Sequence, residues 1–248
     1  MGELRVVAVR GVPEVTAGTR VGELIAARTE LAPGDVVVVS QKIVSKAEGQ
    51  LRRLDAVEPG AQARRLAAEL GKRPEMVELI LAESREVLRA SRGVLIVETR
   101  HGLVCANAGI DASNLAEEGT VCLLPADPDE SARRIRAELA AAAGVEAGVV
   151  VADSFGRAWR LGQAEIAIGC AGLAPVDDWR GRRDTSGREL EATVIAIADE
   201  AAAAADLVRD KNSRVPAAVI RGLDRYVSGE DGPGAAALRR PPEEDLFR

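Results

Sequence analysis

Residues 148–170 read GVVVADSFGRAWRLGQAEIAIGC. Gly148–Ala152 is a short, β-branched apolar run of strand length, and it ends in a polar segment, Asp153-Ser154-Phe155-Gly156-Arg157. A second apolar run, Ala164–Cys170, follows directly, with no helical pattern between the two. Strand following strand in this way departs from the strict alternation of a Rossmann domain and favours a mixed α+β architecture.

Working outward, further strands are expected at Leu4–Val9, Val36–Val39, Val94–Thr99, Val121–Leu124 and Pro216–Arg221. Helical spacing of apolar residues covers Val21–Leu31, with Thr19 as its cap, and also Gln62–Leu70 and Pro74–Ala90. Asp127-Pro128-Asp129-Glu130 is a strong helix start, because Asp caps, Pro takes the first position and Glu sits at the third. That helix is expected to run to about Ala143. Ser186 with Glu189 reads as a capping box for a long helix ending near Asp210. Residues 1–230 carry this pattern without a Pro- or Ser-rich linker, so any second domain is interwoven with the first. Residues 231–248, rich in Gly, Pro and charge, are expected to form a flexible C-terminal tail.

Apolar residues make up 47% and charged residues 29% of the chain, the composition of a globular protein. Aromatics are only 2%, so Val, Ile, Leu and Ala must fill the core. A net charge of −6 argues against nonspecific nucleic-acid binding, which needs basic residues to neutralise phosphates. Cys105, Cys122 and Cys170 are too few and too widely spaced for a disulfide framework or a zinc site, and read as small buried hydrophobes. No apolar run approaches membrane-spanning length and no signal peptide is visible, so a cytoplasmic protein with no membrane partner is expected.

Neither G-x-x-x-x-G-K-[ST] nor G-x-G-x-x-G occurs. His101 is the single histidine and lies in a turn, so any metal site must be built from oxygen ligands, which select hard ions such as Mg²⁺ or Mn²⁺. Asp111 and Asp153 both follow apolar segments. Carboxylates so placed can meet in one cleft and hold a divalent ion, with Ser154 and Asn114 adding oxygen ligands or hydrogen bonds; the ordinary alternative is that Asp111 and Asp153 are turn or cap residues, which Asp commonly is. The polar segment Ser40–Glu48 follows a buried strand, and its Lys42 and Lys46 can grip phosphates or simply face solvent. In Pro175–Asp184, three acids (Asp177, Asp178, Asp184) alternate with Arg180, Arg182 and Arg183, either a site for an anionic substrate or a salt-bridged turn.

Six stretches, taken in order, resemble the coenzyme F420:L-glutamate ligase family. They are RGVPEV (10–15), GDVVVVSQKIVSKAEG (34–49), TRHGLVCANAGIDASN (99–114), VVVADSFGRAWRLGQAEIAIG (149–169), DDWRGRRDTSGREL (177–190) and PAAVIRG (216–222). The resemblance implies an interwoven, mixed-sheet γ-glutamyl ligase fold, a homodimer, and GTP-dependent addition of L-glutamate to coenzyme F420-0 and F420-1. The amide bonds would form through an acyl phosphate. It implies two divalent ions, Mg²⁺ or Mn²⁺, with K⁺ as an accessory ion. Asp111 and Asp153 are similar to the family's metal ligands, and Ser154 to a ligand of the second ion. Val12, Pro13, Glu14, Val15, Gln41, Lys46 and Asn114 resemble GTP contacts, with Asp111, Asp153 and Lys46 carrying the catalysis. Arg157, Arg160 and Arg180 are expected to face the polyanionic substrate. A metal-dependent phosphohydrolase and a non-catalytic nucleotide-binding module are the competing readings.

Overall fold

The computed structural model describes residues 2–113, 115, 117–209 and 212–246. Its strands are β1 (Arg5–Val9), β2 (Val36–Ser40), β3 (Leu51–Arg53), β4 (Ser84–Ser91), β5 (Val94–Thr99), β6 (Val104–Ala106), β7 (Thr120–Cys122), β8 (Gly148–Arg157), β9 (Arg160–Ala171), β10 (Asp177–Asp178), β11 (Val194–Ile195) and β12 (Ala217–Arg221). Its α-helices are α1 (Val21–Ala26), α2 (Gln41–Ala47), α3 (Ala61–Leu70), α4 (Pro74–Ala82), α5 (Pro128–Ala143) and α6 (Ile197–Asp206).

The main sheet has the order β1-β12-β2-β8-β9. Only β2 and β8 run parallel; every other neighbour pair is antiparallel. The expected α+β class is the observed one. Burial on both faces explains why β2 and the first half of β8 read as continuous apolar runs. Val37, Val39, Val149 and Val151 face α1 and α5, packing with Val21, Ile25, Ile135 and Leu139. Val36, Val38, Val150 and Ala152 face the other side, against Ala198, Ala201, Ala202 and Ala205 of α6. Both faces are therefore covered, and small side chains let the helices lie close. At Gly169 of β9 an added Cβ would sit 2.1 Å from the carbonyl oxygen of Pro128, at the start of α5. A second, smaller core joins α3 and α4 to the sheet β4-β5-β6 through Ala63, Val77, Ile80, Leu95 and Val97.

Several local expectations are corrected. The helix expected over Pro74–Ala90 stops at Ala82, and Ser84–Ser91 becomes a strand. It pairs with β5 through a two-residue turn, Arg92-Gly93, with φ of 50° and 76°. That is a type I′ conformation, which matches strand twist but is usually written Asn-Gly. The helix expected from Ser186 begins at Ile197 instead. Asp184 accepts the N–H groups of Ser186 at 2.8 Å and Arg188 at 2.9 Å, which closes a turn where a capping box was expected. α1 ends at Ala26, short of Leu31, and Thr19 accepts from the Thr16 N–H instead of capping it. Strand β8 does not end at Asp153 but continues to Arg157, so Asp153 and Ser154 lie on the strand itself. The Asp127 cap is as expected, accepting the Glu130 N–H at 3.0 Å. Beyond residue 230, Asp231 pairs with Arg136, and the Ala235 N–H donates to Asp129 at 2.7 Å.

Candidate functional site

Strand β2 ends at Ser40, opposite Ala152 of its parallel neighbour β8, which runs on to Arg157. Ligand sites commonly lie beyond the carboxyl ends of such strands. From β2 the chain turns directly into α2, so most of the polar segment Ser40–Glu48 is a largely buried helix. Its Gln41, Ser45 and Lys46 are 2%, 0% and 8% exposed. From β8 come Asp153 and Ser154. The loop after β1 supplies Val12–Val15, and Asp111 enters through a backbone bridge to Cys122. Together these line a cleft of about 750 Å³. Of the site residues expected from sequence, Val12, Pro13, Glu14, Val15, Gln41, Lys46, Asp111, Asp153 and Ser154 meet there, while Asn114 lies outside the described residues.

Three of the cleft's cations, Lys42, Lys46 and Arg209, are paired with acids. The Lys46 ammonium, nearly buried, contacts the exposed carboxylate of Glu14. Lys42 lies 2.7 Å from Oδ2 of Asp111 and donates to the Ser113 carbonyl at 2.8 Å. Burial pushes the Asp111 carboxyl up, but the hydrogen bonds from Lys42 and Ser113 outweigh it and leave the group below its ordinary value. Gln41 turns onto its own helix, its Oε1 accepting from the Ser45 hydroxyl at 2.9 Å.

A second cavity of about 710 Å³ shares Asp111, Ser113, Asp153 and Ser154 with the first. Its remaining walls include Ile96, Val104, Ile110 and Phe155, and are more apolar. The two cavities thus meet at the acidic junction, one flanked by lysines and one by aliphatic and aromatic surface.

Three expectations fare differently. Arg157 lines the second cavity, with its guanidinium on the Leu161 carbonyl at 2.7 Å. Arg160 is exposed and lines neither cavity. Arg180 is exposed and bound to Asp178 at 2.6 Å, and Arg182 lies 3.3 Å from Asp177. Two ion pairs thus tie the Pro175–Asp184 segment, and hydrogen bonds from Arg180 pull Asp178 down to about 2.

Sequence reasoning missed Glu165 and Arg209, both lining the first cleft and both more than nine-tenths buried. A buried, charged residue inside the apolar run of β9 was the available signal. The three cysteines are buried thiols, pushed by burial to about 12, 11 and 12 at Cys105, Cys122 and Cys170, and none is a nucleophile at neutral pH. Among the described residues, no helix is long and apolar enough to cross a membrane.

Residues 11–222 match the family model described as F420-0:gamma-glutamyl ligase. The chain is 43% identical to the coenzyme F420:L-glutamate ligase of Methanothermobacter thermautotrophicus, over 99% of each protein. It is 43% identical to the enzyme of that name from Methanopyrus kandleri over the full length of both. With the one from Haloarcula marismortui it shares 45% identity over 99% of this chain and 96% of the relative. A match of this extent, laid over a cleft assembled from the same segments, means that the chain belongs to the F420-0:gamma-glutamyl ligase family.

Proposed function

We propose that this protein joins L-glutamate to coenzyme F420-0, and then to F420-1, through γ-glutamyl amide bonds, using GTP. The observation that carries this reading is the meeting of two cavities at Asp111, Ser113, Asp153 and Ser154. A ligase of this kind must hold a nucleoside triphosphate and an acceptor carboxylate end to end. The lysine-flanked cleft suits the phosphates, and the more apolar cavity suits a deazaflavin whose carboxylate points at the junction.

Asp111, Asp153 and Ser154 offer oxygen donors alone, which fits Mg²⁺ or Mn²⁺. Among the described residues, no group of three or more His, Cys, Asp or Glu side chains closes on one point. Two carboxylates and a hydroxyl, with phosphate oxygens and water, are the usual ligand set for these ions beside a nucleotide. When bound, two such ions offset phosphate charge and polarise the γ-phosphoryl group.

The chain's own part is binding and orientation. Lys46 and Lys42 exchange Glu14 and Asp111 for phosphate oxygens. The acceptor's carboxylate oxygen then bonds to the γ-phosphorus as the bond to GDP breaks, giving an acyl phosphate and GDP. The glutamate amine attacks the acyl carbon, inorganic phosphate leaves, and the amine proton passes to solvent. No protein nucleophile is required, so positioning and electrostatics carry the catalysis. A cytoplasmic homodimer is part of the same reading.

Incubation with F420-0, GTP, Mn²⁺ and L-glutamate, followed by mass spectrometry, tests it. The expected result is a gain of one or more glutamyl units that needs GTP and metal and is lost in Asp153→Ala. GTP consumption at equal rates with and without glutamate, and no mass gain, would instead assign a phosphohydrolase. GTP binding without turnover would assign a binding module.

A further inference from the structure

Ser154 and Glu165 face each other across β8 and β9, and a bulge sets that pairing. The ladder runs Val149 to Ala171, Val150 to Cys170 and Val151 to Gly169, then shifts past Ile168 to pair Ala152 with Ala167, Asp153 with Ile166 and Ser154 with Glu165. An unbroken ladder would set Ile166 opposite Ser154. The bulge therefore exchanges an apolar partner for an acid, a recurrent use of bulges beside active sites.

The Ser154 hydroxyl donates to Oε1 of Glu165 at 2.5 Å. Oε2 of Glu165 accepts from Nη2 of Arg209 at 3.0 Å. The Glu165 and Arg209 side chains are 8% and 6% exposed. Arg209 follows α6 and is anchored through Nη1 to the Pro216 carbonyl at 3.5 Å. Ser154, Glu165 and Arg209 thus form a chain of hydrogen bonds at the edge of the cleft, from β8 through β9 to the segment after α6.

We propose that Glu165, held by Arg209, is a positioning residue that orients the Ser154 hydroxyl as an oxygen ligand for the divalent cation. A serine hydroxyl has one proton and two lone pairs. With the proton committed to a carboxylate, the lone pairs turn away from Glu165 and the oxygen becomes more basic, as outer partners of metal ligands commonly arrange. Arg209 offsets the charge of Glu165, so that Glu165 acts as an acceptor for Ser154 and not as a further ligand. This inference rests on the metal reading of the cleft.

The test is Mn²⁺ affinity, measured by calorimetry and by the electron paramagnetic resonance of free Mn²⁺ on the full chain without nucleotide. Glu165→Gln is expected to weaken binding about tenfold to a hundredfold, the usual effect of removing an outer partner. In a Ser154→Ala background the same change is expected to add nothing, because Glu165 acts through that hydroxyl. Should Glu165→Gln fail to fold with Arg209 left as a buried charge, Glu165→Gln combined with Arg209→Met removes both charges and carries the same expectation. Additive losses in the Ser154→Ala background would overturn the proposal by making Glu165 a direct ligand. Unchanged affinity in Glu165→Gln would overturn it while leaving the metal reading intact. A wild-type chain that binds no Mn²⁺ would overturn both.

Discussion

Lys42 of α2 closes onto Asp111, its ammonium 2.7 Å from Oδ2, and so ties the end of β2 to the loop that follows β6. This pair places a lysine where a cation would meet the same carboxylate, so the two compete. Lys42→Met is expected to tighten Mn²⁺ binding to the nucleotide-free chain by up to roughly fivefold, the worth of a partly exposed ion pair. On the proposed function the same change is expected to weaken GTP binding, because Lys42 would no longer reach a phosphate. Titrations of each ligand separately read the two opposite signs; loss of both affinities would show that Lys42 holds the loop in place instead.

The pair also has a pH dependence with a definite sign. The Asp111 carboxyl lies below its ordinary value in the folded chain. Its contribution to stability is therefore present above the unfolded-state value and lost as pH falls through the depressed one. In Lys42→Met the hydrogen bond that lowers Asp111 is gone, so the acid limb of the stability curve should move to higher pH. Thermal unfolding of both chains between neutral pH and strong acid checks this.

Close packing of α5 on β9 makes Gly169 intolerant of a side chain. A Cβ there would lie 2.1 Å from the Pro128 carbonyl oxygen and 2.8 Å from the Asp129 nitrogen, both backbone atoms that cannot swing aside. Gly169→Ala is expected to cost about 1–3 kcal/mol, the range for forcing extra atoms into a packed interior. Urea unfolding measures it. Gly156, with nothing within 4 Å of a built Cβ, is the matched control, and Gly156→Ala should change stability far less.

How much of this was legible in the sequence depended on how local each signal was. Asp127-Pro128 announced α5 because cap and first-turn chemistry are properties of adjacent residues. Ser84–Ser91 carried helix-compatible spacing, yet pairing with β5 decided its conformation, a tertiary contact that propensity does not weigh. Ser186 and Glu189 had the spacing of a capping box but no apolar helical stripe after them, and Asp184 claimed the turn. Of the residues that line the cleft, Asp111, Asp153 and Lys46 were picked out from their motifs. Glu165 and Arg209 were not, because their meeting depends on the bulge at Ile168 and on a return of the chain after α6.

Burial decides the behaviour of the thiols. Cys105 and Cys170 are pushed up to about 12 and Cys122 to about 11, so under one thiol in a hundred is ionised at pH 8. Thiolate is the reactive form. The native chain should therefore take up an alkylating reagent at pH 8 far more slowly than a free cysteine, and all three should react once urea unfolds the chain. One cysteine labelled at the free-thiol rate in the native state would contradict the buried environments.

Asp199 is the opposite case to Asp111. Burial raises its carboxyl above the ordinary value of 3.8, and the one hydrogen bond that lowers it, from the Ala167 N–H, does not compensate. The folded chain thus holds this proton more tightly than the unfolded chain. Its effect on stability turns unfavourable as pH rises from the unfolded value through the folded one, and the full penalty applies above the folded value. Asn at this position keeps an oxygen for the Ala167 N–H without the charge. The difference in stability between Asp199→Asn and the parent chain should therefore grow as pH rises above 3.8 and level off once the folded carboxyl is ionised. Urea unfolding at a series of pH values reads that difference directly, with all other carboxylates cancelling. A difference that shrinks with pH would mean that the carboxylate is stabilised where it lies, through contacts stronger than the single hydrogen bond from β9.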